Sequence, residues 1–588
     1  MFRRQTRERG ASEWLGRRPI AYFCAEFGIN DALPIYSGGL GVLAGDILQE
    51  AAARSLPFIG IGLFYRKGYF HQFIDQNGQE EYIKPINPAE VPLQLIIDPK
   101  TKDTLLIEVP IHERTVYAQV WKYQVGSVDL YLLDTDHWKN NPEDRTITDQ
   151  LYAGDQTKRV QQELVLGVGG YRCLTALGIE PSLYHMNEGH SAFLSLELIS
   201  SLVKGGKTID QAVKEARKHL IFTNHTLVPA GNDLFPHELV RVQLGKYAFE
   251  SQIGIDKVLE LGTPRDQADR FAMAILAMRM SNRSNAVSKL HAKKAKDLWP
   301  DFSLQAVTNG VHLPAWIAPE LQMLYTKYAP QWLAATSQMN SWKSLVKMPN
   351  EELWHVHQEL KSSMLEQVYA HTGIRLDPDA LTIVWARRFA TYKRPDLLFS
   401  DLERLKKILF HANQPVQIIV AGKSHPADTQ GKELIHKIEL LGEYDLKHRA
   451  VFVDDYSISL SKYLVSGADI WLNTPIYGQE ASGTSGMKAA ANGAIQCTVP
   501  DGWAYEVDWY GIGYSLAANQ TDLDLYQKLE TKIVPTYYKR GPSGLPNLWI
   551  GMMKMSIAEL APRFSATRMQ EEYISQMYLP TVEAQEAK

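Results

Sequence analysis

Short unbroken apolar runs recur along this chain, and each is followed by a polar or glycine-rich stretch and then by apolar residues spaced for one helix face. Residues 19–25 (P-I-A-Y-F-C-A) read as a buried strand, Gly38-Gly39-Leu40-Gly41 opens a helix running to about Arg54, and residues 57–65 read as a second strand. From 69 to 135 the pattern changes to β-rich runs such as residues 105–109 and 128–132, separated by Gly, Pro, Asn and Asp, which predicts an antiparallel elaboration. Alternation resumes with a helix over 158–177, a strand over 183–186, a helix over 191–203 and a strand over 220–222. Residues 267–299 read as mostly helical, and a boundary between two units is expected near them. Strands at 381–385, 416–421, 450–453 and 468–473 then repeat the rhythm. The expected fold class is α/β, with units at 1–290 and 291–588.

Length agrees with two units, because 588 residues are too many for one hydrophobic core. The 62 basic and 66 acidic residues leave a formal charge of −4, so neither nucleic acid nor a membrane surface is indicated as a partner. Cys24, Cys173 and Cys497 are odd in number and far apart, and read as reduced thiols of a cytoplasmic protein. The arginine-rich start lacks the apolar segment of a secretory signal, and no apolar run is long enough to span a bilayer.

Chemistry concentrates where the predicted strands end. The segment Glu480-Ala481-Ser482-Gly483-Thr484-Ser485-Gly486-Met487-Lys488 lies between a strand and a helix start. Its glycines permit close backbone approach, its hydroxyls and free N–H groups suit a phosphate, and Lys488 enters the first helical turn, where the helix dipole disfavours a cation. A glycine-rich connection with a surface lysine is the plainer reading of the same residues. Arg387, Arg388, Lys393 and Arg394 place four cations within eight residues after the strand at 381–385, in position to face a crevice and bind phosphates, unless they form a solvated face. Asn187-Glu188-Gly189-His190 and Thr223-Asn224-His225-Thr226 also end strands and are candidate site walls. His185, Glu188 and His190 lack the spacing and the further ligand of a zinc site, so no metal is expected. Gly39 to Ala44 matches a dinucleotide fingerprint only loosely, because no carboxylate ends the second strand. Gly422-Lys423-Ser424 lacks the earlier glycine of a nucleotide-triphosphate loop, since position 417 is Gln.

Taken together, Glu480 to Lys488, Arg387 to Arg394, Thr223 to Thr226, Gly38 to Gly41 and Asn285 to His291 resemble the α-glucan phosphorylase family over nearly the whole chain. The resemblance implies two Rossmann-like domains facing across a catalytic cleft. It also implies pyridoxal 5′-phosphate on a lysine, and removal of terminal glucose from α-1,4-glucans by inorganic phosphate as α-glucose 1-phosphate. By matching motifs, Lys488 would carry the cofactor, with Thr484, Ser485 and Arg387 at its phosphate and Tyr456 lining the region. Arg388, Lys393 and the backbone at Gly39 would bind the substrate phosphate. Glu480, Ser482 and Gly483 would contact sugar hydroxyls, His225 and Asn285 would sit around the glucose 6-hydroxyl, and the His225 carbonyl would face the anomeric carbon. The family is usually dimeric, which implies a homodimer.

The chain departs from the longer members at Ser485-Gly486, where they have Gly-Asn, at Arg387-Arg388, where they have Lys-Arg, and at Ala390 and Thr391. These differences resemble a shorter bacterial and archaeal branch and leave the preferred glucan length open. Only about twenty residues precede the first strand, so a regulatory N-terminal extension is expected to be missing. The alternatives are a nucleotide-sugar glucan synthase of the same architecture, which would have no use for a lysine at 488, and a glucan-binding scaffold without catalysis.

Overall fold

The computed structural model describes residues 18–75, 77–152, 155–227 and 233–586. Two parallel sheets organise these residues. In the first, the fully apolar Ile20–Phe23 lies at the centre and pairs in parallel with Phe58–Leu63 on one side and Leu183–Asn187 on the other. Leu220–Asn224, Arg283–Ala286 and Leu304–Ala306 extend the sheet beyond Leu183–Asn187. Val128–Asp134 extends it beyond Phe58–Leu63, and Arg114–Val125 then adds an antiparallel edge carrying Gln94–Leu95 and Leu106–Ile111. That edge is the antiparallel elaboration expected from the sequence.

The second sheet is parallel throughout, in the order Ala450–Val453, Val416–Ala421, Leu381–Ala386, Ile470–Asn473, Ile495–Thr498, Gly513–Ser515. Both sheets start in the middle, wind outward to one side and return to build the other. Strand order therefore reverses between Ile20–Phe23 and Leu183–Asn187 in one, and between Leu381–Ala386 and Ile470–Asn473 in the other. Beyond the carboxyl ends of the strands at such a reversal, the flanking connections diverge and leave a crevice.

Three features depart from the sequence reading. The region expected to be mostly helical, 267–299, contains the strand Arg283–Ala286, whose polar sequence carries no strand signal but whose backbone pairs with Leu220–Asn224. The helix expected over 158–177 widens at Val165–Gly169, where Gly167 lies so close to the Leu194 backbone that a Cβ would come within 2.5 Å of its nitrogen. Finally, Ala566–Glu572 and the helical residues after it return to the first sheet, where Met569, Tyr573, Met577 and Tyr578 join its core.

At the opposite, amino end of the second sheet, Asp469 is fully buried and accepts from Lys361 Nζ at 2.7 Å and from the Thr382 backbone at 2.8 Å, with His357 Nε2 2.7 Å from its other oxygen. This cluster joins the long helix Asn350–Thr372 to the sheet. A hairpin of the first unit, His71–Asp75 with Gly78–Tyr82, reaches the second, where Gln79 donates to the Ser424 carbonyl and His71 meets Asp455 at 2.8 Å. All three cysteines are buried and unpaired, and no helix among the described residues is long and apolar enough to cross a membrane.

Candidate active site

The carboxyl ends of the two sheets meet. Ser288, just past Arg283–Ala286, donates to the Ala481 carbonyl at 2.6 Å, and Glu506 accepts from the Lys289 backbone at 3.0 Å and the Thr308 hydroxyl at 2.7 Å. Ser288 also caps the helix Lys289–Leu298, so one hydroxyl starts that helix and fastens it to the loop carrying Glu480.

The cationic run divides by role. Arg387 follows Leu381–Ala386 directly and spans the strand-order reversal, donating to the Asn473 side chain and, at 3.3 Å, to the Leu472 carbonyl. It is 7% exposed, and its Nε is buried with no partner. Arg388 is exposed, with Tyr392, Tyr69 and Tyr152 as neighbours. Lys393 Nζ lies 3.0 and 3.2 Å from the two Glu480 oxygens. Burial works against the charge on Glu480, but Lys393, Arg387 and Arg388 hold its carboxyl below the usual range. Arg394 does not share the crevice expected for it. Its guanidinium donates to the Thr474 and Pro475 carbonyls at 2.8 Å and to Thr521 at 3.0 Å, stapling the loop after Ile470–Asn473.

That loop bends at Gly478 and Gly483, both with left-handed backbone (φ +84° and +76°). It ends at Thr484, which stands at the N-cap position of the short helix Ser485–Ala491 without a side-chain capping bond. Ser482 Oγ is buried without a partner, and Ser485 Oγ accepts from Trp471 Nε1 at 3.3 Å. Lys488 is 6% exposed, and its Nζ lies 3.6 Å from the centre of the Trp316 ring. Burial lowers its pKa to about 8, against the pull of the Asp46 carboxylate. Asp46 accepts from Trp316 Nε1 at 2.8 Å, and its second oxygen is buried without a partner. Tyr456 is half-buried; burial pushes its hydroxyl up to about 12, against the pull of Arg387.

On the facing side, Gly39 begins the helix Gly39–Ala53, and no atom lies within 4 Å of where its Cβ would be. The turn before it is held by buried Glu26, which accepts from the Ser37 backbone at 2.7 Å and from Tyr152 at 2.5 Å. Gly41 is required here, since a Cβ would meet Glu26 at 2.7 Å. The two polar strand ends singled out in the sequence are tied together by Glu188. Its carboxylate accepts from the His225 backbone and the Thr226 hydroxyl at 2.9 Å, while His225 Nε2 meets Asn187 Oδ1 at 2.6 Å. Burial, with His291 and His190 nearby, pushes His225 down to about 3, so its ring is neutral.

The structure does not bring Asn285 to these groups. Its side chain is fully enclosed, accepting from Thr223 at 2.7 Å and donating to the Tyr573 hydroxyl at 3.1 Å. Asn309, beyond Leu304–Ala306, has a buried side-chain oxygen with no partner. The sequence reading missed Asp46 and Trp316, which nothing local marks. Glu163, His190 and Asp233 also converge, but Arg159 is paired to Asp233 at 2.8 Å and places a guanidinium in that cluster, which opposes a cation.

Lys488 offers a buried amine, Arg387 a buried cation with an unpartnered Nε and Ser482 an unpartnered hydroxyl, residue chemistry that fits an aldehyde bearing a phosphate.

Residues 179–510 match the family model described as carbohydrate phosphorylase. A maltodextrin phosphorylase of Thermococcus litoralis is 41% identical over 95% of this chain and 70% of its own length. A glycogen phosphorylase of Aquifex aeolicus is 37% identical, covering 96% of this chain and 86% of that protein. An Arabidopsis thaliana protein named cytosolic alpha-glucan phosphorylase 2 is 24% identical over 80% of this chain. With the parallel sheets and the facing strand ends, these similarities establish that the chain belongs to the carbohydrate phosphorylase family.

Proposed function

We propose that this protein catalyses retaining phosphorolysis of the terminal α-1,4-linked glucose of glycogen, starch or maltodextrin by inorganic phosphate, reversibly, giving α-D-glucose 1-phosphate. The observation that carries the reading is the gathering of Lys393, Arg387 and Arg388 around the Glu480 carboxylate, on the loop that leads into the helix carrying the buried Lys488 amine of lowered pKa. A nucleotide-sugar synthase of this architecture would give Lys488 no task, and a scaffold without catalysis would not need Glu480, Lys393, Arg387 and Arg388 gathered at one point.

Arg388, Lys393 and the backbone at Gly39 bind inorganic phosphate in this reading. Arg388 is the exposed cation of the run, and Gly39 offers a helix start with open space where its Cβ would stand. Glu480, Ser482 and Gly483 hold the terminal glucose by its hydroxyls, and the neutral His225 turns its carbonyl toward the anomeric carbon. Lys488 holds pyridoxal 5′-phosphate, with Arg387, Thr484 and Ser485 at its phosphate and Tyr456 beside it. When bound, the cofactor supplies a second phosphate whose ionisation near neutrality supports proton donation by the first. The bound inorganic phosphate protonates the departing glycosidic oxygen as the C1–O bond breaks. Its oxygens beneath the ring then stabilise the oxocarbenium-like carbon and close on it from the same face. Arg387, Arg388 and Lys393 offset the repulsion of two phosphates held together.

The proposed division gives residues 1–290 the glucan and substrate phosphate, and residues 291–588 the cofactor. The two buried cores support it, with Leu304–Ala306 and the final helices returning to the first. The setting proposed is a cytoplasmic homodimer. The decisive experiment incubates purified protein with maltodextrin and phosphate, then maps a borohydride-treated digest. Glucose 1-phosphate release and a pyridoxyl group on the Lys488 peptide are expected; its attachment to another lysine, or absence of product, refutes the reading.

A further inference from the structure

Asp501 follows the strand Ile495–Thr498 and is 1% exposed. One of its oxygens accepts three successive backbone N–H groups, from Gly478 at 2.8 Å, Gln479 at 3.2 Å and Glu480 at 3.1 Å. The other accepts from the Gly502 backbone at 2.8 Å. Successive N–H groups in a bent segment form a concave anion site, and here a side chain of the same chain fills it. The bend depends on Gly478, and the last of the three donors is the backbone of Glu480 itself. The next two residues grip the same loop further on. Trp503 donates to the Ser482 carbonyl at 3.1 Å, and Gly502, with φ +54°, lies so close that a Cβ would come within 2.2 Å of that oxygen.

Asp501 also caps the turn Gly502–Glu506 and Trp503 packs on Trp509 and Phe564, but the side-chain oxygen that takes three donors serves residues 478–480, and the side chain of the last of these is paired to Lys393 at 3.0 Å. Holding a carboxylate beside the Glu480 carboxylate is costly in a buried site, because like charges repel and both are desolvated. Burial first, with the Glu480 charge adding to it, pushes Asp501 up to about 6. An apolar residue here would be easier to bury but would leave all four N–H groups without this acceptor, and an amide, which keeps one acceptor oxygen, would turn an N–H donor toward one of the two sets.

We propose that Asp501 is a positioning residue for Glu480: it locks the 478–480 backbone so that the Glu480 carboxylate stands between Lys393 and the terminal glucose. This inference rests on the sugar-contact role given to Glu480 above. The test is a double-mutant cycle on the holoenzyme with Asp501→Asn and Glu480→Gln, reading kcat and KM for maltodextrin, with melting temperature and cofactor absorbance as controls on the fold. Asp501→Asn alone should lower kcat at least thirtyfold, with cofactor retained and KM changed less than threefold. In the Glu480→Gln background the same substitution should lower kcat less than threefold further, because its effect passes through a side chain already removed. A near-parental kcat for Asp501→Asn, or an undiminished loss in the Glu480→Gln background, overturns the proposal. Near-parental activity of Glu480→Gln alone overturns it too, and identifies the role of Glu480 as the part that failed. If Asp501→Asn does not fold, Asp501→Glu, which keeps the charge one methylene further out, enters the same cycle with the same expectations.

Discussion

Lys393 and Glu480 stand 3.0 Å apart, on the connections that follow two adjacent strands of the second sheet, and each is nearly buried. Neither group is free. The lysine proposed to meet the substrate phosphate also fixes the carboxylate proposed to meet the sugar, so phosphate and glucan recognition are coupled through one ion pair. Lys393→Met should therefore weaken both. Losing a charge-assisted contact that strengthens in the transition state costs about 3 kcal/mol, or roughly a hundredfold in kcat/KM. Steady-state kinetics with each substrate varied in turn should find the loss for both; a defect confined to phosphate would show that the pair does not couple them.

Arg387 bridges the strand-order reversal through Asn473 and Leu472, and its Nε lacks a partner inside the protein. Arg387→Met should reduce affinity for pyridoxal 5′-phosphate by about tenfold or more, as expected when a charged phosphate contact is lost. Absorbance titration of cofactor-stripped protein measures this directly. Unchanged cofactor affinity would remove Arg387 from the cofactor phosphate.

Burial lowers Lys488 from 10.5 to about 8. The neutral amine is the reactive form, so in cofactor-stripped protein the rate of cofactor attachment should rise about tenfold per pH unit up to about 8 and level off above it. An ordinary exposed lysine would keep gaining to pH about 10. Replacing Asp46 by Asn removes the carboxylate that favours the charged amine, so the midpoint should move lower. Stopped-flow absorbance across pH 6–10, on the order of the range spanned by these two values, resolves the midpoint.

The buried set Lys361, Asp469 and His357 predicts a stability effect away from the active site. Lys361→Met strands the Asp469 charge, and breaking a buried pair from one side costs about 3 kcal/mol or more. Denaturant unfolding should show the loss, while the folded fraction keeps its turnover. Burial opposes the Asp469 charge, but Lys361 and His357 hold its pKa below the ordinary carboxylate value. Its contribution is therefore present above about pH 4 and is lost as pH falls through the lower folded value.

Apolar runs such as Ile20–Phe23 and Leu381–Ala386, the latter broken only by Thr382, announced buried parallel strands, because a strand covered on both faces is apolar on both. The polar clusters behind them were legible for a related reason: chemistry in an open α/β sheet gathers where the strands stop. Arg387, Lys393, Glu480 and Lys488 all lie on the connections that follow such strands. Arg283–Ala286 could not, since a strand of Arg, Ser, Asn and Ala is specified by the backbone bonds of its neighbour rather than by its own side chains.

What the sequence determined alone was the alternation of strands and helices, the two-sheet plan, and the residue types available at each strand end. Only the tertiary structure decided which of those groups are free to act. Arg394 and Arg388 look equivalent in sequence, yet one guanidinium is satisfied by backbone carbonyls while the other is exposed beside tyrosines. Asn285 is spent on Thr223 and Tyr573, the latter almost three hundred residues away, while Asn309 keeps an open oxygen. Lys488 owes its lowered pKa to burial, with the Asp46 carboxylate of a distant segment pulling the other way. A side chain's protonation and availability depend on which atoms surround it in space, and those atoms come from parts of the chain that no local pattern connects.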